Sequence, residues 1–239
     1  MSALPPLEAA RLHLDALYER DARGRLVRPR GTGRVPAPRL HLVRTVEGNR
    51  WLLSSTLGQD LRDRLDALLA SEPVLPDLDA AETRPPACRE AVLATLGGRA
   101  PVEEYRGPAF LFPALLPPVE PPVEVLHVPD DERPHPGLAW LATFEAVDRP
   151  LVVARGSGGE AVACCHAARS GPEAVEAGLE VVEPYRRRGL GRAVTTGWAW
   201  AVRAAGRVPL YSTSWQNEAS RATARSLGLL AYAEDWHVA

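Results

Sequence analysis

Lysine and isoleucine are absent from the sequence, and cysteine is scarce. All 28 basic residues among the 239 are arginine, a bias that we attribute to the nucleotide composition of a GC-rich genome. Without lysine, the chain cannot contain the phosphate-binding loop that ends in Gly-Lys-Ser/Thr. The three cysteines, of which Cys164 and Cys165 are adjacent, are too few for a disulfide framework or a four-ligand zinc site. We therefore expect a protein without a bound metal, in the reducing cytoplasm.

Long apolar runs and a strong excess of either charge are also missing. The longest strongly apolar stretch without a charge covers residues 193–202, whereas a membrane-spanning helix needs roughly 20 apolar residues. The first residues show no basic segment before an apolar core, so we expect no signal peptide. The formal net charge is −2, which gives no reason to expect a nucleic-acid partner. We therefore expect neither a membrane nor a nucleic acid as partner.

Proline marks a division of the chain. Residues 112–123 read FPALLPPVEPPV, and proline can neither join a central strand nor continue a helix interior. We predict a stiff connector at residues 113–122, after an N-terminal α+β accessory region of residues 1–112. In that region, apolar periodicity and turn residues predict three helices and a hairpin. The helices are predicted at residues 7–19, 57–69 and 86–96, and the strands of the hairpin at residues 39–45 and 50–55.

The second region, residues 123–239, alternates between strand and helix patterns. The predicted strands cover residues 123–128, 151–155, 160–168, 174–182, 208–214 and 230–238. The predicted helices cover residues 138–146, 190–205 and 218–227.

The stretch EAGLEVVEPYRRRGLG, residues 176–191, is the one that indicates chemistry. A strand ends near Pro184, a basic turn with two glycines follows, and a helix begins at about residue 190. The first N–H groups of a helix have no partner within it and lie at the positive end of its dipole, so they can hold a pyrophosphate. A dinucleotide-binding motif is excluded because Val194 stands where its third glycine belongs.

Two motifs resemble those of the GCN5-related N-acetyltransferases. Residues 186–191, RRRGLG, match the Arg/Gln-x-x-Gly-x-Gly/Ala turn of that family, after a Val-x-Pro strand end and before a long helix. Residues 217–229 begin with Asn217 and end in Ser-Leu-Gly-Leu, similar to the family's Asn-initiated helix that closes in Leu-Gly-Phe. The resemblance covers residues 123–239 and is strongest to a bacterial subgroup with an extra N-terminal region. It implies an α+β fold with a mixed, mostly antiparallel sheet flanked by helices.

The resemblance also implies an acyltransferase that uses acetyl-CoA or another acyl-CoA as cosubstrate. In the family, an amine attacks the thioester directly, the CoA pyrophosphate sits on the turn, and the pantetheine arm runs beside the preceding strand. The residues that the resemblance assigns to the cosubstrate are Val181, Val182, Arg186, Arg187, Arg188, Gly189, Leu190, Gly191, Arg192, Asn217 and Ser220. The acceptor is expected to be a small-molecule or peptide amine, and its identity stays open.

Two glutamates are candidate general bases. Glu176 and Glu180 lie four residues apart on a predicted strand, so alternation places them on one face with Gly178 and Val182. Several family members have a catalytic glutamate at the place of Glu176, and Glu180 is expected nearer the reaction centre. Either residue can instead be an ordinary solvent-facing glutamate. Partial burial would raise the pKa of the base toward ambient pH.

The expected general acid is missing. The family often has a tyrosine seven residues after the helix-opening asparagine, and this sequence has Ala224 there. A hydroxyl on the preceding strand, from Tyr211 to Ser214, can replace it, and Ser214 is expected nearest the cleft. The gap also permits a non-catalytic acyl-CoA-binding or sensor module on the same fold.

The first 112 residues carry no recognisable motif. They can form a lid or acceptor-recognition domain, a decayed copy of the transferase fold, or an oligomerisation surface such as that of a homodimer. We prefer the lid, since the catalytic half alone shows one clear helix between its first two strands where the family usually has two.

Overall fold

The computed structural model describes residues 4–31, 36–97, 103–120, 123–126, 134–143 and 149–239. Within these ranges, no helix is long and apolar enough to cross a membrane. The part of the chain described here contains five α-helices. They are α1 (Pro6–Leu17), α2 (Gln59–Ala70), α3 (Arg89–Gly97), α4 (Leu190–Ala204) and α5 (Glu218–Ser226).

Five of the six predicted helices are therefore present, with ends that agree with the prediction to within three residues, and the exception is the segment predicted at residues 138–146. The helix α1 ends two residues earlier than predicted because the backbone is extended at Tyr18. It begins with Pro6 in its first turn, where proline's fixed φ suits a helix and its missing N–H costs no hydrogen bond. Its side toward the sheet is buried from Ala9 to Ala16.

Eleven strands are assigned in the described residues, and nine of them form one sheet in the order β4-β3-β11-β5-β10-β9-β8-β7-β6. A separate two-stranded sheet contains β1 (Tyr18–Arg20) and β2 (Leu26–Pro29). The strands of the large sheet are β3 (Leu40–Arg44), β4 (Asn49–Leu53), β5 (Glu104–Leu111), β6 (Glu124–Leu126), β7 (Leu151–Arg155), β8 (Ala161–Ser170), β9 (Ala174–Val181), β10 (Val208–Ser212) and β11 (Leu230–Val238).

Every neighbouring pair in the large sheet is antiparallel except β9 and β10, which are parallel. This confirms the predicted fold class, an α+β protein with a mixed, mostly antiparallel sheet. The predicted hairpin is present as β3–β4, which pairs Arg44 with Asn49 on either side of residues 45–48. The remaining predicted strands of residues 123–239 are present, although residues 127 and 128 lie outside the described part of the chain.

Helices cover both faces of the sheet. The helix α1 and the segment 136–143 lie on one face, which we call the α1 face, over clusters that contain Leu14, Leu210, Leu141 and Val182. The helices α2, α3, α4 and α5 lie on the other face, the α4 face, over clusters that contain Trp198 and Trp236. Burying each such leucine or tryptophan side chain contributes about 2 kcal/mol or more to folding.

Strands from both sides of the proline-rich connector share the large sheet. The strand β5, from the first 112 residues, lies between β10 and β11, and it pairs with β11 from Leu111 to Glu104. The edge strands β3 and β4 continue the sheet beyond β11. The structure does not test whether the regions on either side of residues 113–122 fold independently, so this domain division stays a prediction. Residues 121 and 122 lie outside the described ranges.

The segment predicted as a helix at residues 138–146 is different. The chain forms a 3-10 helix at Pro136–Thr143, with non-helical dihedral angles at Leu138, and residues 144–146 lie outside the described part. Leu138 and Leu141 are both buried, and a spacing of three residues suits the 3.0 residues per turn of a 3-10 helix.

Candidate functional site

The strands β9 and β10 separate after three residue pairs. They pair from Ala174 with Val208 to Glu176 with Leu210. Beyond that point, β9 continues to Val181 alongside β8, and β10 continues to Ser212 alongside β5. The two strands thus enclose a gap, the β9–β10 split, with its vertex at Glu176 and its mouth near the end of β9.

The edge of β9 presents backbone groups to this split. The N–H of Val182 donates to the carbonyl of Val162 on β8. Because antiparallel residues face alternately toward and away from their partner strand, residues 177, 179 and 181 direct their N–H and C=O groups toward β10. The guanidinium Nε of Arg186 donates to the carbonyl of Val181 over 3.1 Å. An extended ligand can therefore pair with β9 as an additional strand does.

The start of α4 lies at the mouth of the split. Gly189, the residue before the helix, has a φ of 78°, and Arg187 has a φ of 60°. The first helical hydrogen bond runs from the N–H of Ala193 to the carbonyl of Gly189, so the N–H groups of residues 190–192 have no partner within the helix. Among the five described α-helices, α4 alone has no acidic residue in its first turn.

Three exposed arginines precede this helix start. Arg186, Arg187 and Arg188 are all exposed, and the guanidinium of Arg188 lies 5.2 Å from the ring centre of Tyr185. A left-handed conformation at a residue other than glycine costs about 1 kcal/mol or more. Arg187 is the sole such residue in the described ranges. Positive charge and unpaired N–H groups thus coincide at one place, as an anion site requires.

The other residues assigned to the cosubstrate contribute in different ways. The side chains of Val181 and Leu190 pack in the core of the α4 face, and that of Val182 packs on the α1 face. These residues can offer only backbone groups. Arg192 has a buried Nε without a hydrogen-bond partner in the described structure. A Cβ at Gly191 would lie at an ordinary contact distance of 3.5 Å from Val181, and the assignment of this glycine to the cosubstrate stays a prediction.

The α5 residues form a capped helix start. The side-chain oxygen of Asn217 accepts a hydrogen bond of 3.0 Å from the N–H of Ser220, which is the N-cap role expected of asparagine. The hydroxyl of Ser220 lies 2.6 Å from that of Tyr211 on β10. Burial raises the pKa of Tyr211 to about 12, although the Ser220 hydrogen bond opposes the shift. Contact of Asn217 and Ser220 with a cosubstrate stays a prediction.

Glu180 lies on the α1 face of β9, exposed to solvent. The indole N–H of Trp140 donates to its carboxylate over 3.2 Å. The ring of Trp140 lies 4.8 Å from that of His166, whose imidazole fills the space left by Gly178, where a Cβ would come within 2.3 Å of Nε2. Burial lowers the pKa of His166, which favours its neutral form. These residues form an aromatic and acidic wall beside the split.

Glu176 is buried on the same face, as the alternation predicts. Its side chain is 6% exposed, and Nε2 of His13 on α1 lies 3.5 Å from its Oε2. No hydrogen bond of ordinary geometry reaches either carboxylate oxygen in the described part of the chain, although Ser212 on β10 lies close enough to lower the pKa of the group. Burial raises the pKa of Glu176 to about 8. The two candidate bases are therefore brought to one face, and burial brings the pKa of Glu176, at the vertex, close to ambient pH.

Ser214 follows β10 on the α1 face. The N–H groups of Thr213 and Trp215 donate to β5, so the strand pattern continues and Ser214 alternates to the side of Leu210. The backbone here is very close to β5, since a Cβ at Gly107 would lie 2.7 Å from the Cα of Ser214. Ser214 thus faces the same side as the two glutamates, and its role as an acid stays a prediction.

Sequence reasoning did not find Trp140 and His13. Trp140 lies in a 3-10 helix whose pattern the sequence analysis assigned to an α-helix, and His13 belongs to a region without recognisable motifs. A usable signal exists for His13, because it stands between two leucines in a helix, and a polar residue between buried ones needs a partner.

No protein-family model matches the chain, and no curated protein matches it. Solved structures do match in fold. An acetyltransferase of the GNAT family from Colwellia psychrerythraea is 13% identical, with a TM-score of 0.46, over 79% of this chain and 75% of that one. A GCN5-related N-acetyltransferase-like protein from Streptococcus suis is 15% identical, with a TM-score of 0.44, over 85% of both chains.

A GCN5-related N-acetyltransferase from Kribbella flavida is 18% identical, with a TM-score of 0.45. The match covers 62% of this chain and 62% of that one, so the chain spans less than two thirds of that structure. These similarities concern the fold, and the function therefore rests on the residues of the site. In fold, the chain is similar to acetyltransferases of the GNAT family.

Proposed function

We propose that the protein is an acyl-CoA-dependent N-acyltransferase, with acetyl-CoA as donor and an amine as acceptor. The observation that carries the proposal is the β9–β10 split itself. It has an anion-binding helix start at its mouth, an unpaired strand edge along one side, and a buried carboxylate at its vertex. An acyl-CoA combines a pyrophosphate, an amide-containing arm and a thioester in the same order.

The proposed binding mode follows the split from mouth to vertex. The pyrophosphate binds to the N–H groups of residues 190–192 and to the exposed arginines 186–188. The pantetheine arm pairs with the β9 backbone at residues 177, 179 and 181. Six residues of strand separate Val182 from Glu176, which is about 20 Å at ~3.3 Å per residue. The thioester then lies near the vertex.

The proposed reaction moves two protons. Glu176 takes one from the acceptor ammonium, because a base with a pKa near ambient pH is the most effective. The amine nitrogen forms a bond to the thioester carbonyl carbon, and N–H groups of the β9 edge stabilise the charge that develops on the carbonyl oxygen. The carbon–sulfur bond breaks, and the second amine proton passes to the sulfur. Ser214 and the Tyr211–Ser220 hydroxyl pair are the candidates for that transfer.

Glu180 and Trp140 suit the acceptor side. A carboxylate held by an indole N–H, with aromatic rings next to it, attracts an ammonium group by charge and by cation–π contact. The acceptor is accordingly proposed to be a cationic amine, either a small molecule or a peptide amine. Location in the cytoplasm and a homodimer stay predictions.

A non-catalytic acyl-CoA sensor is the second candidate. Ala224, at the position where the family has its tyrosine, is 1% exposed and packs in the core of the α4 face. No hydroxyl from that helix position can reach a thiolate. In this case the split would bind acyl-CoA, and no amine would be acylated.

Two glycines provide a matched test of donor binding. Gly189 before α4 has a φ of 78° and Gly206 after it has a φ of 73°, so alanine at either position costs about 1 kcal/mol of backbone strain. Gly189→Ala is expected to raise the Kd for acetyl-CoA at least tenfold, whereas Gly206→Ala leaves the Kd unchanged. Calorimetric titration measures both values. Equal Kd values for the two variants and the wild type would overturn the placement of the pyrophosphate.

Catalysis needs a second measurement. Release of free CoA thiol from acetyl-CoA is followed across a panel of cationic amines, with neutral and acidic analogues as controls. Amine-dependent release supports the transferase. Tight acetyl-CoA binding without release for any amine supports the sensor instead.

A further inference from the structure

A cluster of ionisable side chains is buried under α1, beyond the vertex of the split. Three of the six histidines of the chain meet here, although they are far apart in sequence. Tyrosines surround them. The cluster contains His13, Tyr18, His41, Tyr105, Glu176, Tyr232, Asp235 and His237.

His13 stands between two carboxylates. Its Nε2 lies 3.5 Å from Oε2 of Glu176 and 3.6 Å from Oδ2 of Asp235. All three side chains are nearly inaccessible to solvent, with 1% exposure for His13 and 3% for Asp235. The Nε2 atom of His13 has no hydrogen-bond partner in the described structure. One imidazole nitrogen is thus placed where it can exchange a proton with either acid.

Tyrosines fix the other side of the histidine rings. The hydroxyl of Tyr232 lies 2.7 Å from Nδ1 of His13, and that of Tyr18 lies 2.8 Å from Nδ1 of His41. Nε2 of His41 lies 3.4 Å from Oδ1 of Asp235. Both imidazoles therefore direct Nε2 toward Asp235, and the ring orientation is set by hydrogen bonds rather than by chance packing.

On the α4 face, by contrast, two buried acids are paired with an arginine. Glu234 and Glu72 are also buried, and both are paired with Arg44, over 2.7 Å and 3.1 Å. No arginine forms an ion pair with Glu176 or Asp235 in the described structure. Burying an acid without a cation is costly, and unpaired buried acids are typical of functional sites. No group of the described residues is suited to hold a metal ion.

We propose that His13 and Asp235 act as positioning residues that receive, through Glu176, the proton lost by the acceptor amine. This inference rests on the proposed transferase function. It gives the first helix of the chain a part in proton transfer, a role different from that of a lid.

The proton balance is simple. The O–H bond formed on Glu176 breaks as an N–H bond forms at Nε2 of His13, whose Nδ1–H meanwhile donates to the hydroxyl of Tyr232. Burial lowers the pKa of His13 and the charge of Asp235 opposes that shift, and the resulting imidazolium faces the Asp235 carboxylate over 3.6 Å. No oxidant or further reactant is needed. After the products leave, the N–H bond at Nε2 of His13 breaks, the proton returns to Glu176 and passes from there to solvent in the emptied split, one per turnover.

The charges around Glu176 determine its titration. Burial raises the pKa of Glu176 and hydrogen bonding by Ser212 opposes that shift, while the charge of Asp235 raises the pKa further and that of Arg169 lowers it. The groups that face Glu176 are His13 from α1, Arg169 from β8, Ser212 from β10, Tyr105 from β5, and Tyr232 and Asp235 from β11. Removing the charge of Asp235 therefore moves the titration of Glu176 to lower pH.

The experiment compares three variants of the full chain. His13→Gln keeps a hydrogen-bonding side chain that cannot take up a proton, and we expect kcat/KM for the amine to fall at least tenfold with an unchanged Kd for acetyl-CoA. Asp235→Asn is expected to move the acidic limb of the pH–rate profile downward by on the order of one pH unit. The control Leu14→Ala removes a buried side chain of the same helix, and we expect it to lower stability without changing the midpoint of the profile.

The possible outcomes separate the two proposals. If His13→Gln and Asp235→Asn retain the wild-type rate and pH midpoint, as Leu14→Ala is expected to do, the inference is overturned. If the wild type binds acetyl-CoA but acylates no amine, the proposed function fails. In that case, carbon NMR titration of the Glu176 carboxyl group in Asp235→Asn still tests the coupling, and an unchanged titration rejects it.

Discussion

Replacing Glu176 with glutamine removes one ionisable group from the interior and leaves the shape of the side chain almost unchanged. The residue is 4% exposed, and burial raises the pKa of its carboxyl group from the ordinary value of 4.5 to about 8. Glutamine cannot ionise. The variant therefore isolates what the ionisation of this one group does to folding and to catalysis.

The sign of the stability effect follows from the raised pKa. Below pH 4.5 the group is protonated in both the folded and the unfolded chain and contributes no difference. Between pH 4.5 and 8 the unfolded chain releases the proton while the folded chain keeps it, so the free energy of unfolding falls as pH rises. A pKa raised from 4.5 to about 8 corresponds to about 5 kcal/mol at most. Glu176→Gln lacks this loss.

Urea unfolding at pH 5, 7 and 9 measures the effect. We expect the free energy of unfolding of Glu176→Gln, relative to wild type, to increase by up to about 5 kcal/mol between pH 5 and pH 9. For a chain of this length, that equals roughly 10–20 °C in Tm at pH 9. The same variant should lose amine acylation and still bind acetyl-CoA. Parallel pH curves for the two proteins would refute the burial of a protonated carboxyl group at this position.

Three further predictions concern the split. Glu180→Gln is expected to raise KM for a cationic amine about tenfold with little change in kcat. Trp140→Phe, which removes the indole N–H, is expected to raise KM by a smaller factor. Steady-state kinetics tests both variants, with a neutral amine as the control substrate. If Ser214 protonates the leaving thiolate, Ser214→Ala lowers kcat at least tenfold and Tyr211→Phe does not. If instead Tyr211→Phe lowers kcat and Ser214→Ala does not, the step belongs to the Tyr211–Ser220 pair. Salt should weaken acetyl-CoA binding, because arginines 186–188 are exposed and the Debye length falls from about 10 Å at 0.1 M salt to 3 Å at 1 M. We expect the Kd for acetyl-CoA to rise several-fold over that range. A salt-independent Kd would contradict the role of these arginines.

The local pattern of the sequence was enough to predict most of the elements and one face of the site. Alternation in β9 places Glu176, Gly178 and Glu180 on one side, and the structure confirms this because His13, His166 and Trp140 lie against that side. The basic turn and the start of α4 follow from glycine and proline positions, which act within a few residues.

Features that depend on distant residues were not predictable in the same way. The separation of β9 and β10 after Glu176 depends on β5, which pairs with β10 and comes from the other side of the connector. The cluster around His13 joins α1, β3 and β11, and nothing local indicates that His41 and Asp235 share a partner. The burial that raises the pKa of Glu176 comes in part from α1, and it is therefore a tertiary effect.

The position of β5 leads to a prediction about the connector. The strand β5 is hydrogen-bonded to β10 on one side and along β11 on the other, so a fragment of residues 113–239 would expose the unpaired edges of β10 and β11 and lack α1. Unpaired edges favour aggregation.

We expect this fragment to be insoluble when it is expressed alone. We expect it to fold when residues 1–112 are expressed with it as a separate chain, because the cut then falls in the proline-rich connector and every strand pair can form. Solubility, and a cooperative unfolding transition of the reassembled pair, are the measurements. A fragment 113–239 that is monomeric and unfolds cooperatively by itself would mean that the sheet closes without β5, and the vertex at Glu176 could not then depend on the N-terminal region.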